Sequence, residues 1–284
     1  ELNRLFFIIH NFTMNSSQLL NKIQELAPDF DAFGSFVSDE HYLACFNYYI
    51  SATTESEHLI ETFKEKVLSS IRNKRSLMDV GPGSYRMIDE LGGEFSHIAV
   101  IDTNSEILSL ADSNRVCADK KVAKYHCSIT EVDLTSDSYD FVLLVHVLYY
   151  IDRSSWMDVT NKLYASLTEG GKLVVSLGGE NCSKEHLLRY FSVKTLDIQS
   201  YTQDCVSSFG ASNVTIHSSI DTTTTNSLEP MLHCAGFLLG DCQGEAKRVT
   251  RKELSEYLDM HSKREDGNYE IASKITSIVI TKTA

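Results

Sequence analysis

Short apolar runs alternate with longer segments of helical periodicity through the middle of the chain. Five runs of four to seven residues have the length of strands, and the segments between them are long enough for helices. Because parallel strands need crossover connections, this alternation predicts a mostly parallel sheet with helices on both faces. The predicted strands are 77–80, 98–101, 122–126, 139–145 and 171–177.

The last apolar run, from Lys274 to Thr281, alternates with polar residues and is rich in β-branched side chains. It predicts a final strand, antiparallel to the others and at or near the edge of the sheet. The expected fold class is α/β, with a Rossmann-like sheet that is mostly parallel, an antiparallel C-terminal strand, a helical N-terminal segment and insertions.

Helical patterns precede the sheet, and a looser pattern follows it. We assign residues 1–66 to a helical N-terminal cap and 67–284 to the main domain, with insertions at about 183–270. That the cap and the insertions bind substrate is what the resemblance given below implies. The N-terminal helices are expected at 19–26, 42–50 and 59–71, where apolar residues recur at helical spacing. In the insertions we predict helices at 187–193, 200–209 and 250–258, a strand at 214–217, and a loop over 221–226 and 228–230.

Length and charge limit the possible classes of protein. A chain of 284 residues, 42% of them apolar, can bury the core of one large α/β domain with insertions, or of two domains, and we favour one. The formal net charge of -13 argues against nucleic acid as a partner, because such binding depends on Lys and Arg. A small cationic substrate suits this charge, although plain soluble proteins often carry it too.

Seven cysteines without a C-x-x-C pair are typical of a reduced, cytoplasmic protein rather than of a disulfide framework or a zinc site. We therefore expect no metal. No run approaches the length of a membrane span, and residues 5–9 are too short for the core of a signal peptide, so we expect no membrane partner. The sequons at Asn11, Asn15, Asn181 and Asn213 should then stay unglycosylated, and we expect a monomer.

A glycine turn joins the first two predicted strands. Gly81, Pro82 and Gly83 follow the first strand, and Asp102 ends the second, where a carboxylate can accept hydrogen bonds from ribose hydroxyls. A dinucleotide fingerprint would have a third glycine where this chain has Arg86, and proline removes a backbone donor that a phosphate would need. The loop favours an adenosine ligand without phosphates, with S-adenosylmethionine the obvious candidate, or it is an ordinary α/β turn.

Several polar residues fall at the predicted carboxyl ends of strands. Ligands of open parallel sheets bind at those ends. This rule brings Gly81, Asp102, Ser128 and His146 to one rim, which makes them a candidate site.

The motifs, in this order and spacing, resemble those of class I S-adenosylmethionine-dependent methyltransferases. They are the D-V-G-P-G loop at 79–83, Asp102 nineteen residues after Gly83, the V-H-V-L-Y-Y-I segment at 145–151, and L-T-E-G-G-K-L-V-V-S at 167–176. The resemblance implies S-adenosylmethionine as cofactor, with S-adenosylhomocysteine as product. It also implies a cofactor site formed by Asp79, Gly81, Pro82, Gly83, Asp102, Thr103, Ser128, Ile129, Thr130 and Val145.

A closer resemblance is to the histamine N-methyltransferase family. It rests on H-Y-L-A-C-F-N-Y-Y-I-S-A-T-T-E at 41–55, on L-Y-Y at 148–150 and on I-T-S-I-V-I near the C-terminus. Tyr42 and Phe46 would form an aromatic gate over the substrate, and Glu55 would be the carboxylate that binds it. The implied substrate set is Tyr42, Phe46, Glu55, His146, Tyr150 and Ser273, although core packing alone would also explain Tyr42 and Phe46.

Three positions depart from that family. His146 replaces a Gln before the L-Y-Y motif, Ser273 replaces a substrate-binding Asn before the last strand, and Ile107 replaces a Gln in the helix after the acidic residue. Polar contacts to the substrate have therefore changed, which puts histamine itself in question.

Methyl transfer from a sulfonium needs few catalytic side chains. The electrophile is already activated, so the protein mainly holds a neutral nucleophile near the methyl group and excludes water. An amine must first lose a proton, which makes Glu55 and His146 the candidate catalytic residues. The alternatives are a hydrogen-bonded core histidine and a solvated glutamate at a helix end.

The leading hypothesis is a methyltransferase that acts on the nitrogen of a small amine, similar to histamine N-methyltransferase. A second reading is methylation of another small acceptor, through a hydroxyl or a carboxylate. A third is a non-catalytic module that keeps the cofactor-binding fold as a binding surface.

Overall fold

The apolar runs form a seven-stranded sheet in the computed structural model, which describes residues 14–28, 32–136, 138–240 and 248–283. The run at 5–9, the sequon at Asn11 and Cys242 lie outside the described residues. The strands are β1 (Ala32–Phe33), β2 (Ser76–Val80), β3 (His97–Asp102), β4 (Lys121–His126), β5 (Tyr139–Val145), β6 (Leu167–Gly178), β7 (Val214–Thr225), β8 (Val249–Thr250) and β9 (Tyr269–Thr281).

The sheet order is β4-β3-β2-β5-β6-β9-β7, and β1 pairs with β8 in a separate two-stranded sheet. Strands β2 to β6 are parallel, whereas β9 lies antiparallel between β6 and β7. The predicted Rossmann-like sheet with an antiparallel C-terminal strand is therefore confirmed, with that strand one position in from the edge.

Helices cover the sheet and extend beyond it. They are α1 (Ser16–Leu26), α2 (Asp39–Ala52), α3 (Glu55–Thr62), α4 (Arg86–Leu91), α5 (Ser105–Ser109), α6 (Trp156–Ser166), α7 (Ser183–Tyr190), α8 (Ile198–Phe209), α9 (Leu228–Gly240) and α10 (Arg251–His261). Side chains fix several starts: Asn15 forms a capping box with Gln18, and Thr250 forms one with Glu253. Helix α3 continues through a π-helical turn at Phe63–Val67 and a 3-10 turn at Leu68–Ser70.

The predicted loop over 221–226 and 228–230 is wrong. Residues up to Thr225 belong to β7, which pairs with β9 from Val214 to Thr225. The threonines are polar, but their β-branched side chains suit a strand. Helix α9 then begins at Leu228, and Pro230 is tolerated because the first helical turn needs no amide donor.

The two faces of the sheet carry separate apolar cores, because successive side chains of a strand point to opposite faces. Leu77 and Leu143 join the core that contains Phe63, whereas Met78 and Leu144 join the core that contains Trp156. This double burial explains why the sequence of β5 is almost continuously apolar.

A third core joins two segments that are far apart in sequence. It packs α1 and α2 against α7, α9 and α10, with Ile23, Tyr48, Leu187, Phe237 and Leu254 among its buried members. The N-terminal helices and the region at 183–270 therefore share one apolar interior. Helix α2 is held over the sheet by residues almost two hundred positions later.

Asp140 connects three elements at the amino end of the sheet. Its buried side chain accepts hydrogen bonds from the backbone N–H groups of Arg75 (2.9 Å) and Ser76 (3.0 Å) through Oδ2. Oδ1 accepts another from the Thr168 hydroxyl at 2.8 Å. The carboxylate therefore ties the start of β2 to β5 and β6.

We expect Asp140→Ala to lower the free energy of unfolding by about 2 to 4 kcal/mol, since it leaves partly buried donors without an acceptor. Urea unfolding followed by circular dichroism measures this change. The exposed Asp119→Ala is the control and should change stability by about 0.5 kcal/mol or less. Equal effects of the two substitutions would contradict this role.

Candidate functional site

A cavity of about 510 Å³ lies at the carboxyl ends of the parallel strands. Its walls come from the ends of β2, β3 and β5 on one side, and from α2, α3 and α9 on the other. Two of these helices, α2 and α9, belong to the third core. The cavity therefore has a sheet end, formed by the strand termini, and a helical end, formed by the helices.

The glycine turn forms the sheet end. Gly81 and Gly83 have φ values of +68° and +51°, a backbone conformation that glycine adopts without strain. A Cβ at Gly81 would lie 2.7 Å from Cγ2 of Val147, and one at Gly83 would lie 3.6 Å from Cζ of Phe46. The turn therefore presents bare backbone to the cavity, with Pro82 between the two glycines.

Two carboxyl groups face this end. Burial and, as the second cause, the negative charge of Asp102 together raise the pKa of Asp79 to about 8. Oδ2 of Asp79 is buried and accepts no hydrogen bond from the described residues. Burial also raises the pKa of Asp102, although backbone hydrogen bonds from Asn104 and Thr103 oppose this.

This set of groups fits S-adenosylmethionine. Two acidic side chains, a proline in the turn and glycines with positive φ suit a cationic ligand that has ribose hydroxyls and no phosphates. The unpartnered Asp79 oxygen can accept a hydrogen bond from an ammonium group, and Asp102 can accept from the ribose. Ile107 adds an apolar wall.

Aromatic rings surround the helical end. The rings of Tyr42 and Phe46 are parallel with their centroids 6.3 Å apart, and Phe237 lies 5.8 Å from each. The hydroxyls of Tyr42 and Tyr150 lie 3.1 Å apart, so α2 meets the 3-10 turn after β5 at this point. Tyr49 also contacts Phe237, with centroids 5.2 Å apart.

Glu55 and His146 meet between the two ends. Glu55 is the first residue of α3 and only 5% exposed, and its Oε1 is in contact with Nε2 of His146. Burial raises the pKa of Glu55, but the charges of His146 and Lys184 outweigh it, and the pKa is lowered. Glu55 is therefore an ionised carboxylate in a buried site.

The backbone at His146 directs its ring toward Glu55. His146 follows β5 with φ of +58°, and its N–H donates to the Ser176 carbonyl at 3.0 Å. Nδ1 lies 3.0 Å from the Tyr149 hydroxyl, and the two rings are stacked within 8° of parallel. The Tyr149 hydroxyl thus holds the imidazole through Nδ1, while Nε2 is in contact with the Glu55 carboxylate.

The structure brings most of the predicted site residues to one cavity. Two predicted residues lie outside its lining: Thr130 is exposed beside Ser128, and Ser273 is buried on β9 opposite Asp221. The predicted residues that do line it are Tyr42, Phe46, Glu55, Asp79, Gly81, Pro82, Gly83, Asp102, Thr103, Ser128, Ile129, Val145, His146 and Tyr150.

Other cavity residues had not been predicted as site residues. Phe237 lies on α9, which was not predicted, and Lys184 lies on α7 among residues with an ordinary helical pattern. Arg86 marked the departure from the dinucleotide pattern, and it lines the cavity while its guanidinium contacts Glu57 at 3.4 Å. Of these three residues, only Arg86 stands out in the sequence, because it occupies the position of the third glycine of a dinucleotide fingerprint.

The described ranges contain neither a metal-binding cluster nor a membrane-spanning helix. No group of three or more His, Cys, Asp or Glu side chains within them is placed to hold a metal ion. No helix in the same ranges has both the length and the apolar character needed to cross a membrane.

Comparison with known proteins gives a family and a set of similar folds. Residues 52–237 match a family model described as a methyltransferase domain. A putative methyltransferase from Bacillus halodurans aligns with a TM-score of 0.54 at 11% identity, over 81% of this chain and all 100% of its own. The YcgJ protein of Bacillus subtilis aligns with 0.53 at 11% identity, over 81% and 98%.

A larger enzyme also shares the fold. Phosphoethanolamine N-methyltransferase 2 of Haemonchus contortus, solved with phosphomonomethylethanolamine and S-adenosylhomocysteine, aligns with a TM-score of 0.51 at 12% identity. The alignment covers 92% of this chain and 60% of that one. None of the curated proteins compared with the chain matches it.

The family match covers more than half of the chain, and the strand order agrees with the fold of these structures. The class I methyltransferase fold binds S-adenosylmethionine, which confirms the expected cofactor. The chain belongs to the methyltransferase-domain family and is a class I S-adenosylmethionine-dependent methyltransferase.

Proposed function

We propose that this protein methylates the nitrogen of a small-molecule amine. The observation that carries the proposal is the buried, ionised Glu55 in contact with His146 at the junction between the cofactor end and the aromatic end of the cavity. A carboxylate at this place suits an amine, which arrives as a cation and must lose a proton before it can attack.

Each part of the cavity has a role in this reaction. S-adenosylmethionine supplies an activated methyl group when it is bound. Asp79 and Asp102 hold the ligand at the glycine turn, while Tyr42, Phe46 and Phe237 enclose the acceptor and exclude water.

The Glu55 and His146 pair receives the proton of the amine. Oε1 of Glu55 already contacts Nε2 of His146, so a proton that reaches the carboxylate can be shared with the imidazole. Tyr149 holds Nδ1 on the opposite side of the ring, which keeps the imidazole in place while it takes or releases a proton.

The histamine N-methyltransferase resemblance supports an amine but not histamine itself. Tyr42, Phe46 and Glu55 lie around the cavity where that resemblance expects substrate contacts. His146 instead forms the pair with Glu55, and Ser273 lies outside the cavity lining. We therefore propose an amine acceptor whose polar partners differ from those of histamine.

Asp102 tests the cofactor site. Its carboxylate should accept hydrogen bonds from the ribose, and a charged hydrogen bond contributes about 1.5 to 3 kcal/mol. Asp102→Ala should therefore weaken S-adenosylmethionine binding by roughly tenfold or more, measured by calorimetry. Asp102→Asn keeps an acceptor for the Asn104 N–H and should lose less. An unchanged dissociation constant in Asp102→Ala would remove this residue from the site.

Asp79 gives a test based on pH. Its pKa of about 8 means that the free protein holds a proton on Asp79 at pH 7, and a ligand ammonium beside it would lower that pKa. Binding of S-adenosylmethionine at pH 7 should then release a proton, seen as a binding enthalpy that depends on the ionisation enthalpy of the buffer. The release should disappear in Asp79→Asn. A release of the same size in both proteins would contradict the contact.

Glu55 tests the acceptor site. Glu55→Gln keeps the shape of the side chain but removes the charge that attracts the amine and accepts its proton, so kcat/KM for amines should fall by about a hundredfold. Affinity for S-adenosylmethionine should stay unchanged. Glu61→Gln, on the exposed side of the same helix, is the matched control. Unchanged amine turnover in Glu55→Gln would refute the proposed role.

A further inference from the structure

A buried lysine, Lys184, lines the same cavity and has no partner for its charge in the part of the chain that the structure describes. Lys184 is the second residue of α7 and is 7% exposed. Its helix follows the carboxyl end of β6, and Ser183 fixes the start of the helix through hydrogen bonds with both the N–H (2.6 Å) and the carbonyl (3.2 Å) of Ala272. The backbone therefore holds Lys184 at the cavity wall.

The Lys184 ammonium makes few contacts within the protein. Among the described residues, no carboxylate lies within 4.0 Å of Nζ and no group accepts a hydrogen bond from it. Nζ lies 5.8 Å from the centroid of the Tyr149 ring. The nearby Glu55 is in contact with His146 instead. With no paired anion among the described residues, this ammonium is available to an anionic group of a ligand in the cavity.

We propose that the acceptor carries a carboxylate as well as its amine, and that Lys184 binds this carboxylate. The inference rests on the proposed N-methylation and adds the substrate class. Glu55 and Lys184 place opposite charges in one cavity, which matches a molecule with an ammonium and a carboxylate. An amine with only positive charge would lie near the Lys184 cation and be repelled by it.

The number of cations favours a carboxylate over a phosphate monoester. Lys184 supplies one positive charge. Arg86 also lines the cavity, but its guanidinium already contacts the Glu57 carboxylate. A phosphate monoester carries close to two negative charges at neutral pH and has three acceptor oxygens, so its sites usually gather more donors. One lysine suits a monoanion.

Matched pairs of acceptors test the proposal with the purified full chain and methyl-labelled S-adenosylmethionine. The members of each pair differ in the anionic group: histidine and histamine, tyrosine and tyramine, β-alanine and ethylamine. Phosphoethanolamine and ethanolamine form the phosphate pair. We expect kcat/KM to be about tenfold or more higher for the carboxylate member of whichever pair is accepted.

Substitutions at Lys184 show whether that preference comes from its charge. Lys184→Met should lower kcat/KM for the carboxylate member by about tenfold to a hundredfold, and lower it little or raise it for the partner without the carboxylate. Lys184→Arg keeps the charge and should retain most of the preference. Lys252→Met, whose side chain is 84% exposed on α10, controls for loss of a lysine elsewhere.

The outcomes separate this inference from the proposed function. Preference for the uncharged partner in every accepted pair, or equal losses for both members in Lys184→Met, would overturn the role of Lys184. A preference confined to phosphoethanolamine would replace the carboxylate by a phosphate. If S-adenosylmethionine binds but no amine of either kind is methylated, the proposed function fails. Should Lys184→Met not fold, the acceptor preference of the unaltered chain and of Lys184→Arg decides the matter.

Discussion

The buried contact between Glu55 and His146 joins the two parts from which the site is built. Glu55 begins the helix that follows α2, and His146 stands at the carboxyl end of the central strand β5. An isolated carboxylate would be unfavourable at the depth of Glu55, which is only 5% exposed, so Glu55 depends on this contact. The contact is possible only if the N-terminal helices lie over the carboxyl ends of the central strands.

The third core holds the N-terminal helices in that position. Helix α2 packs on α1 and α9, and α9 packs in turn on α7 and α10. The residues that cover the cavity are therefore placed by apolar contacts between segments that are distant along the chain. The sheet end needs no such support, because Asp79, Gly81 and Asp102 are placed by adjacent parallel strands with regular hydrogen bonds.

This difference explains how much of the molecule could be predicted from the sequence. The strands and the glycine turn were predictable because their signals are local: apolar runs, a glycine turn, and an acid at a strand end. The polar character of residues 222–225 suggests a loop, but their β-branched side chains favour the strand that the structure has there. Helix α9 cannot be recognised from periodicity, because it is buried on all sides and so has no amphipathic pattern.

Lys184 could not be identified as a site residue in the same way. Its surroundings, the Tyr149 ring and Glu55, lie 35 and 129 positions earlier, and no local pattern distinguishes it from a solvated lysine. The opposite holds for Ser273. The family resemblance implies that it contacts substrate, but it lies within the sheet on β9, outside the cavity lining.

The two ends of the cavity therefore respond differently to change. The sheet end consists of backbone turns and strand termini, which must be kept if the fold is to bind S-adenosylmethionine at all. The helical end consists of side chains from α2, α7 and α9, which can be exchanged while the third core stays packed. Chains with one sheet and one cofactor can thus act on different acceptors. In this chain, the Glu55 carboxylate beside His146 and the Lys184 side chain at the wall bring acidic and basic groups together in the cavity.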